Sequence, residues 1–226
     1  MADLRFFEIY RNLDYILLIL NGAGVSVLLT IGGGVAGFVL AGALAAARHH
    51  QIRVLSPLAT GYVEFIRNTP LIVQMFFVAF GLPMLLNYQW PFWAHALLAL
   101  TLNFSAYFAE ILRAGLASVA KGQSEAALAL GLPKWLCFLK VTLPQAVAAM
   151  FPSLNSQFIF LFLTTGVVSE IGVTDLTWAG LFIDSRSFRS FEVFITLTAV
   201  YVLMSLSFKG IFSVLHDRLF KWRVVR

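Results

Sequence analysis

The 226 residues are 60% hydrophobic and 12% charged, and their 22 Phe carry more apolar surface than a soluble fold tolerates, so an integral membrane protein is expected. A net charge of +5 could suggest nucleic acid, but the basic residues lie between apolar runs, where orientation rules place them, so membrane lipid is expected and nucleic acid is not. The single cysteine, Cys137, excludes an internal disulfide and reads as a reduced packing residue.

The chain opens with an amphipathic segment (1–21) that lacks the basic, apolar and small-residue succession of a cleaved leader. A first span is predicted over about Gly22 to Ala47. Its glycines give small-xxx-small spacing at Gly33, Gly37 and Ala41, the pattern of a face that packs closely on another helix, or simply glycine tolerated in lipid. After "RHHQIR" and "YVEFIRNTP", a second span is expected from about Pro70 to Leu86. The uncharged "NYQWPFW" reads as an interfacial turn. A third span is expected over about Ala94 to Leu112, a fourth over about Leu143 to Val168, and a fifth over about Phe191 to Leu215. These imply an all-α integral membrane protein of five transmembrane helices, with 1–226 as one domain and 113–142 as a long connecting loop. Twelve of the sixteen Lys and Arg fall on one side of such a layout and four on the other, which puts the amino end outside and the carboxyl end and the 113–142 loop in the cytoplasm.

That loop contains "GQSEAALALGLPKW". Ser124 reads as an N-cap, Glu125 as a first-turn acid, Gly131 as a left-handed C′ residue and Pro133 as a stop and the opening of a second short helix. Two turns of helix cannot stand alone, so packing on the membrane helices and a partner surface are expected to hold them.

Glu125-Ala126-Ala127 with Gly131 and the later "VTLPQA" resembles the EAA loop of permease subunits of type I ATP-binding-cassette importers. "FIRNTP", "AEILRAG", "GQSEAALALG" and "LPQA", in this order, are similar to the polar amino-acid branch of that family, over roughly Tyr62 to Leu176. The resemblance implies a bacterial inner-membrane subunit that moves polar amino acids and receives them from an extracytoplasmic binding protein. It also implies two ATPase subunits and a second permease. Ser124, Glu125, Ala126, Ala127, Gly131, Leu132 and Pro133 would form the coupling helix and its stop. The chain has no Walker-type phosphate loop, so it would bind no cofactor itself, and ATP and Mg²⁺ would belong to the partner ATPase. It would be a transport subunit and not an enzyme.

Polar groups within the spans are the candidates for the substrate path. Ser153, Gln157 and Thr164 share a helical face, with Asn155 and Thr165 beside it, and Asn103 and Ser105 are offered from the third span. They line a path or join helices. Many relatives resemble Lys-Asp-Thr-Ser-Leu where this chain has Leu163-Thr164-Thr165-Gly166-Val167. The missing Asp implies either a neutral or acidic substrate or, preferably, the non-binding half of a heterodimer.

Glu64 with Arg67 and Glu110 with Arg113 are expected as ion pairs at the span margins. Glu170, Asp175 and Asp184 are expected on the outer side, facing a binding protein or water. His49-His50 reads as an interfacial cap, with no metal site expected. A secondary transporter would need more spans and an internal repeat, and a membrane enzyme a convergent set of ionisable groups; neither is apparent.

Overall fold

The computed structural model describes residues 5–221, and every regular element among them is helical. The short α1 (Phe6–Tyr10) leads into α2 (Leu13–His49), whose N-cap Asn12 accepts from the Asp14 amide. α2 is unbroken and contains the expected first span, but the helix itself begins earlier, at Leu13, since no proline interrupts the apolar residues before Gly22.

The helix expected from about Pro70 to Leu86 is present, but another helix precedes it at an angle. α3 (Leu55–Arg67) and α4 (Leu71–Leu86) meet at 107° and count as one span only when taken together. The break has a local cause: Pro70 disfavours helical geometry at Thr69 and is itself extended, with ψ 137°. α5 (Phe92–Ala117), α7 (Lys134–Ile171) and α9 (Ser190–Leu219) supply the remaining crossings, giving four long apolar helices and the bent pair among the described residues. Between them lie α6 (Lys121–Ala129) and α8 (Leu176–Ser187), the latter in the gap between the fourth and fifth expected spans.

α2 against α5 is the central packing. A Cβ on Gly33 would lie 3.2 Å from the Leu100 side chain and one on Gly37 3.3 Å from the Thr101 carbonyl, while Ala41 is fully buried. The glycine stripe is therefore the close-approach face, because only small residues let two backbones come this near. On the other side of α5, Gly115 admits the Met150 side chain of α7.

α7 runs from the expected second short helix straight into the fourth span, so Pro133 is the N-cap of one long helix. Continuity through Pro144 is possible because Phe138–Thr142 is a wide π turn; Pro83 in α4 is likewise preceded by one at Phe77–Gly81. Proline has no amide hydrogen and its ring crowds the carbonyl four residues back, and an i→i+5 turn relieves both.

α1 is tied to the start of α9. Arg189 pairs with Glu8 at 2.7 Å and Glu192 at 3.2 Å, the Arg5 amide donates to Glu192, and the Tyr10 hydroxyl meets Thr196 at 2.9 Å. Asp175 does not face water or a partner as expected: it is fully buried, caps α8 by accepting from the Trp178 amide at 2.9 Å, and packs on Gly22. Glu170 is exposed, and Asp184 accepts from the Ser190 hydroxyl.

Candidate functional site

Two regions hold part of the residues singled out in the sequence. The first is α6, at the end of the bundle where Arg48, Arg113 and Lys134 also lie. Its stop has the predicted geometry. Gly131 has φ +84°, its amide donates to the Leu128 carbonyl, and the Leu132 amide donates to the Ala127 carbonyl, which is the paired bonding of a Schellman motif. Its start differs. The helix begins at Lys121 behind Ala120, with the Gln123 amide on the Ala120 carbonyl, so Ser124 is not the N-cap and Glu125 is not in the first turn.

Ser124 instead faces inward. Its hydroxyl meets Thr142 at 3.3 Å and its carbonyl accepts from the Cys137 thiol at 3.6 Å, so α6 is clasped to the first turns of α7. Ala127 and Cys137 are buried in that seam. Glu125, Ala126, Leu128 and Leu130 are left outward, with Leu130 82% exposed and Trp135 nearby at 64%. Leu128, Leu130 and Trp135 thus form an exposed apolar patch beside Glu125.

The second region is the inside of the α3–α4 bend. The break exposes the carbonyls of Ile66 and Thr69, and Gln74 reaches back to both, at 2.8 and 3.1 Å, and to the Thr69 hydroxyl at 2.6 Å. The Gln74 carbonyl in turn accepts from the Asn103 amide at 2.9 Å. Arg67 lies 5.7 Å over the ring of Tyr107 instead of pairing with Glu64, which accepts from Asn68. The expected Glu64–Arg67 pair is therefore absent among the described residues, because α3 ends at Arg67 and the side chain follows the bend onto α5.

Beside this bend a cavity of about 500 Å³ is lined by Arg67, Asn68, Thr69, Asn103, Tyr107 and Thr164. That volume falls in the range of small-molecule sites. Of the expected path residues, only Asn103 and Thr164 meet in it. Ser153 faces a separate recess with Glu110, and Asn155 lines an apolar pocket with Phe108, Phe158 and Phe212. Thr165 is fully buried, with its hydroxyl donating to the Phe162 carbonyl, and the buried Gln157 amide nitrogen has no partner among the described residues. Ser105 is held by the Tyr62 hydroxyl at 2.8 Å. The polar stripe on α7 is thus divided among several neighbours, since α2, α5 and α9 each cover part of it.

Sequence reasoning missed Gln74, Arg67 and Tyr107 as members of this site. Gln74 carried a signal: it is the one polar residue in "LIVQMFF". The Glu110–Arg113 pair is present, joined by Arg48 at 3.1 Å on the other carboxylate oxygen.

Known proteins resemble this chain along most of its length. The family described as "Binding-protein-dependent transport system inner membrane component" matches residues 33–221. The L-cystine transport system permease protein TcyL of Bacillus subtilis (strain 168) is 37% identical over 192 residues, covering 82% of this chain and 80% of the relative. The glutamine transport system permease protein GlnP of Escherichia coli (strain K12) is 34% identical over 204 residues, covering 89% and 93%. Among solved structures, an amino acid ABC transporter crystallised with histidines superposes with a TM-score of 0.88 at 33% identity, covering 96% of this chain and 100% of that one. An inward-facing MetNI methionine ABC transporter shares the fold, with a TM-score of 0.75 at 17% identity over 92% and 99%.

Proposed function

We propose that this chain, which belongs to the family of binding-protein-dependent transport system inner membrane components, is the permease subunit of an ABC importer for a polar amino acid. The observation that carries the reading is the similarity, over most of the chain, to permeases whose names specify cystine and glutamine and to an amino acid transporter of known structure. The family implies ATPase and binding-protein partners and a transport role without enzymatic activity of its own.

On this reading 1–226 is a single permease domain with its basic end in the cytoplasm. Two ATPase subunits, which use ATP and Mg²⁺, receive α6: Glu125, Ala126, Leu128 and Leu130 enter the ATPase surface, while Ser124, Thr142 and Cys137 transmit its movement to α7. The Schellman stop at Gly131 to Pro133 fixes the angle between the two helices. The exposed positions Ser153, Ser156, Phe160 and Leu163 recur every three or four residues along α7, which supports a second permease packed on that face.

The cavity at the bend is the substrate path. Arg67 supplies a cation for the amino acid's carboxylate, and Asn103, Asn68 and Thr164 supply neutral hydrogen-bonding groups. No carboxylate lines it, which suits a neutral or acidic substrate or a subunit whose heterodimer partner holds the ammonium; the heterodimer is the preferred assembly. The test is purification in mild detergent with mass spectrometry of accompanying subunits, followed by ATP-driven amino-acid uptake into proteoliposomes. An ATPase pair with a second permease and ATP-dependent uptake is the expected result; recovery without any ATPase would refute the reading.

A further inference from the structure

A basic recess lies at the same end of the bundle as α6, where α2 ends, α3 begins and α5 nears its end. Arg48, His49, Ser56 and Arg113 surround a cleft of about 340 Å³ floored by Ala45 and Leu116. Two guanidinium groups share one carboxylate there. Arg48 reaches one Glu110 oxygen at 3.1 Å, and the Arg113 Nε reaches the other at 2.9 Å.

One Glu cannot balance two Arg, and each guanidinium has five N–H donors, so a positive charge and several donors remain unmatched by protein. The Arg48 side chain is only 13% exposed, so water is a poor substitute. The Ser56 hydroxyl, in the first turn of α3, donates to no group among the described residues. The cleft therefore presents the donors and charge that a phosphate takes. Its surroundings narrow the source of that phosphate. Ile52, one turn before Ser56, and Val54 and Leu55, which precede it directly, are all exposed large apolar side chains where α3 begins. A soluble anion would leave them uncovered, whereas a lipid covers them with its acyl chains.

We propose that this cleft binds the phosphate headgroup of an anionic membrane lipid, with the acyl chains lying over Ile52 and Leu55. Basic recesses between membrane helices bind such headgroups by adding charge-assisted hydrogen bonds to the general attraction of anionic lipid. The occupant also bears on the coupling region, because the His49 ring packs 6.2 Å from that of Phe138 in the wide turn of α7, which Ser124 clasps through Thr142. That consequence rests on α6 being the ATPase contact, whereas the binding itself does not.

The test uses the full chain together with the subunits that accompany it, delipidated and exposed to equimolar phosphatidylglycerol and phosphatidylcholine, with retained lipid counted by native mass spectrometry. At least fivefold preference for phosphatidylglycerol is expected, falling to near parity in Arg113→Gln and in Ser56→Phe, which fills the cleft while leaving the Glu110 pairs intact. If Arg113→Gln does not assemble, Ser56→Phe decides alone. Equal retention of the two lipids, or a preference that survives the substitutions, overturns the proposal. Displacement of the lipid by millimolar inorganic phosphate overturns it as well, since the site would then be one for a free anion.

Discussion

The backbone of Asp175 rests directly on Gly22: a Cβ on that glycine would stand 2.6 Å from the Asp175 carbonyl oxygen. Backbone cannot swing away as a long side chain can, so Gly22→Ala must push α8 off α2, at a cost of about 1–3 kcal/mol. Gly24, on the same helix, has nothing within 4 Å of its Cβ position. Thermal melting of the purified complex should fall clearly for Gly22→Ala and hold or rise for Gly24→Ala. Equal melting of the two would show that this contact is not tight.

Asp175 also sets a pH dependence. Burial pushes its carboxyl up from 3.8 to about 6. Between these values the unfolded chain releases a proton that the folded chain keeps, so this residue's contribution falls as pH rises from about 4 to about 6, and the penalty persists above. Asp175→Asn can still accept from the Trp178 amide, and it removes the penalty. Melting at pH 7.5 should rise, by an amount on the order of 1–3 kcal/mol. The difference from wild type should vanish near pH 4, and a constant difference across that range would contradict the account.

At Gly131 the strain of a substitution comes from the backbone alone, because φ is +84° while no atom lies within 4 Å of a built Cβ. Val at this position costs about 1–2 kcal/mol of left-handed strain, whereas Asn tolerates the region better. Recovery of the ATPase with the permease should therefore drop for Gly131→Val and be largely kept for Gly131→Asn. Indifference to both would remove the helix stop from the coupling role.

Thr164→Asp tests the cavity. It places a carboxylate in a space already lined by Arg67 and Asn103. Apparent affinity for a neutral or acidic amino acid should weaken at least tenfold, with cationic amino acids gaining in competition. An unaltered substrate ranking in transport assays would mean that the path runs elsewhere.

Gln74→Leu withdraws the group that answers the carbonyls of Ile66 and Thr69 at the break and also leaves the Asn103 amide unmatched. A loss of about 1–3 kcal/mol is expected, read as lower melting and yield. Preserved melting would indicate that water satisfies the bend.

What the sequence made legible follows from what each signal measures. Hydropathy reports length in lipid, so the long spans and the Gly33–Gly37–Ala41 face were readable, as was Gly131, whose conformation is local. The bend at Pro70 was read only as a span boundary because hydropathy has no direction. Ser124 was misplaced as a cap because Lys121 to Gln123 extend the helix without any apolar signal. Asp175 was assigned to the outer surface, facing a binding protein or water, because its burial depends on Gly22, about 150 residues away, and the α7 stripe was divided by neighbours that periodicity on one helix cannot name.

The wide turn at Phe138–Thr142 has a further consequence for α7. An extra residue within a helical turn acts as a phase shift of about 100°, so every side chain beyond it is rotated relative to the α6 clasp at Ser124. The direction in which Ser153, Phe160 and Thr164 point is therefore indexed by one residue of chain length near Pro144. Deleting a single residue there would leave an apolar helix of nearly the same length that fits the membrane as well, with its cavity face turned to the wrong neighbour.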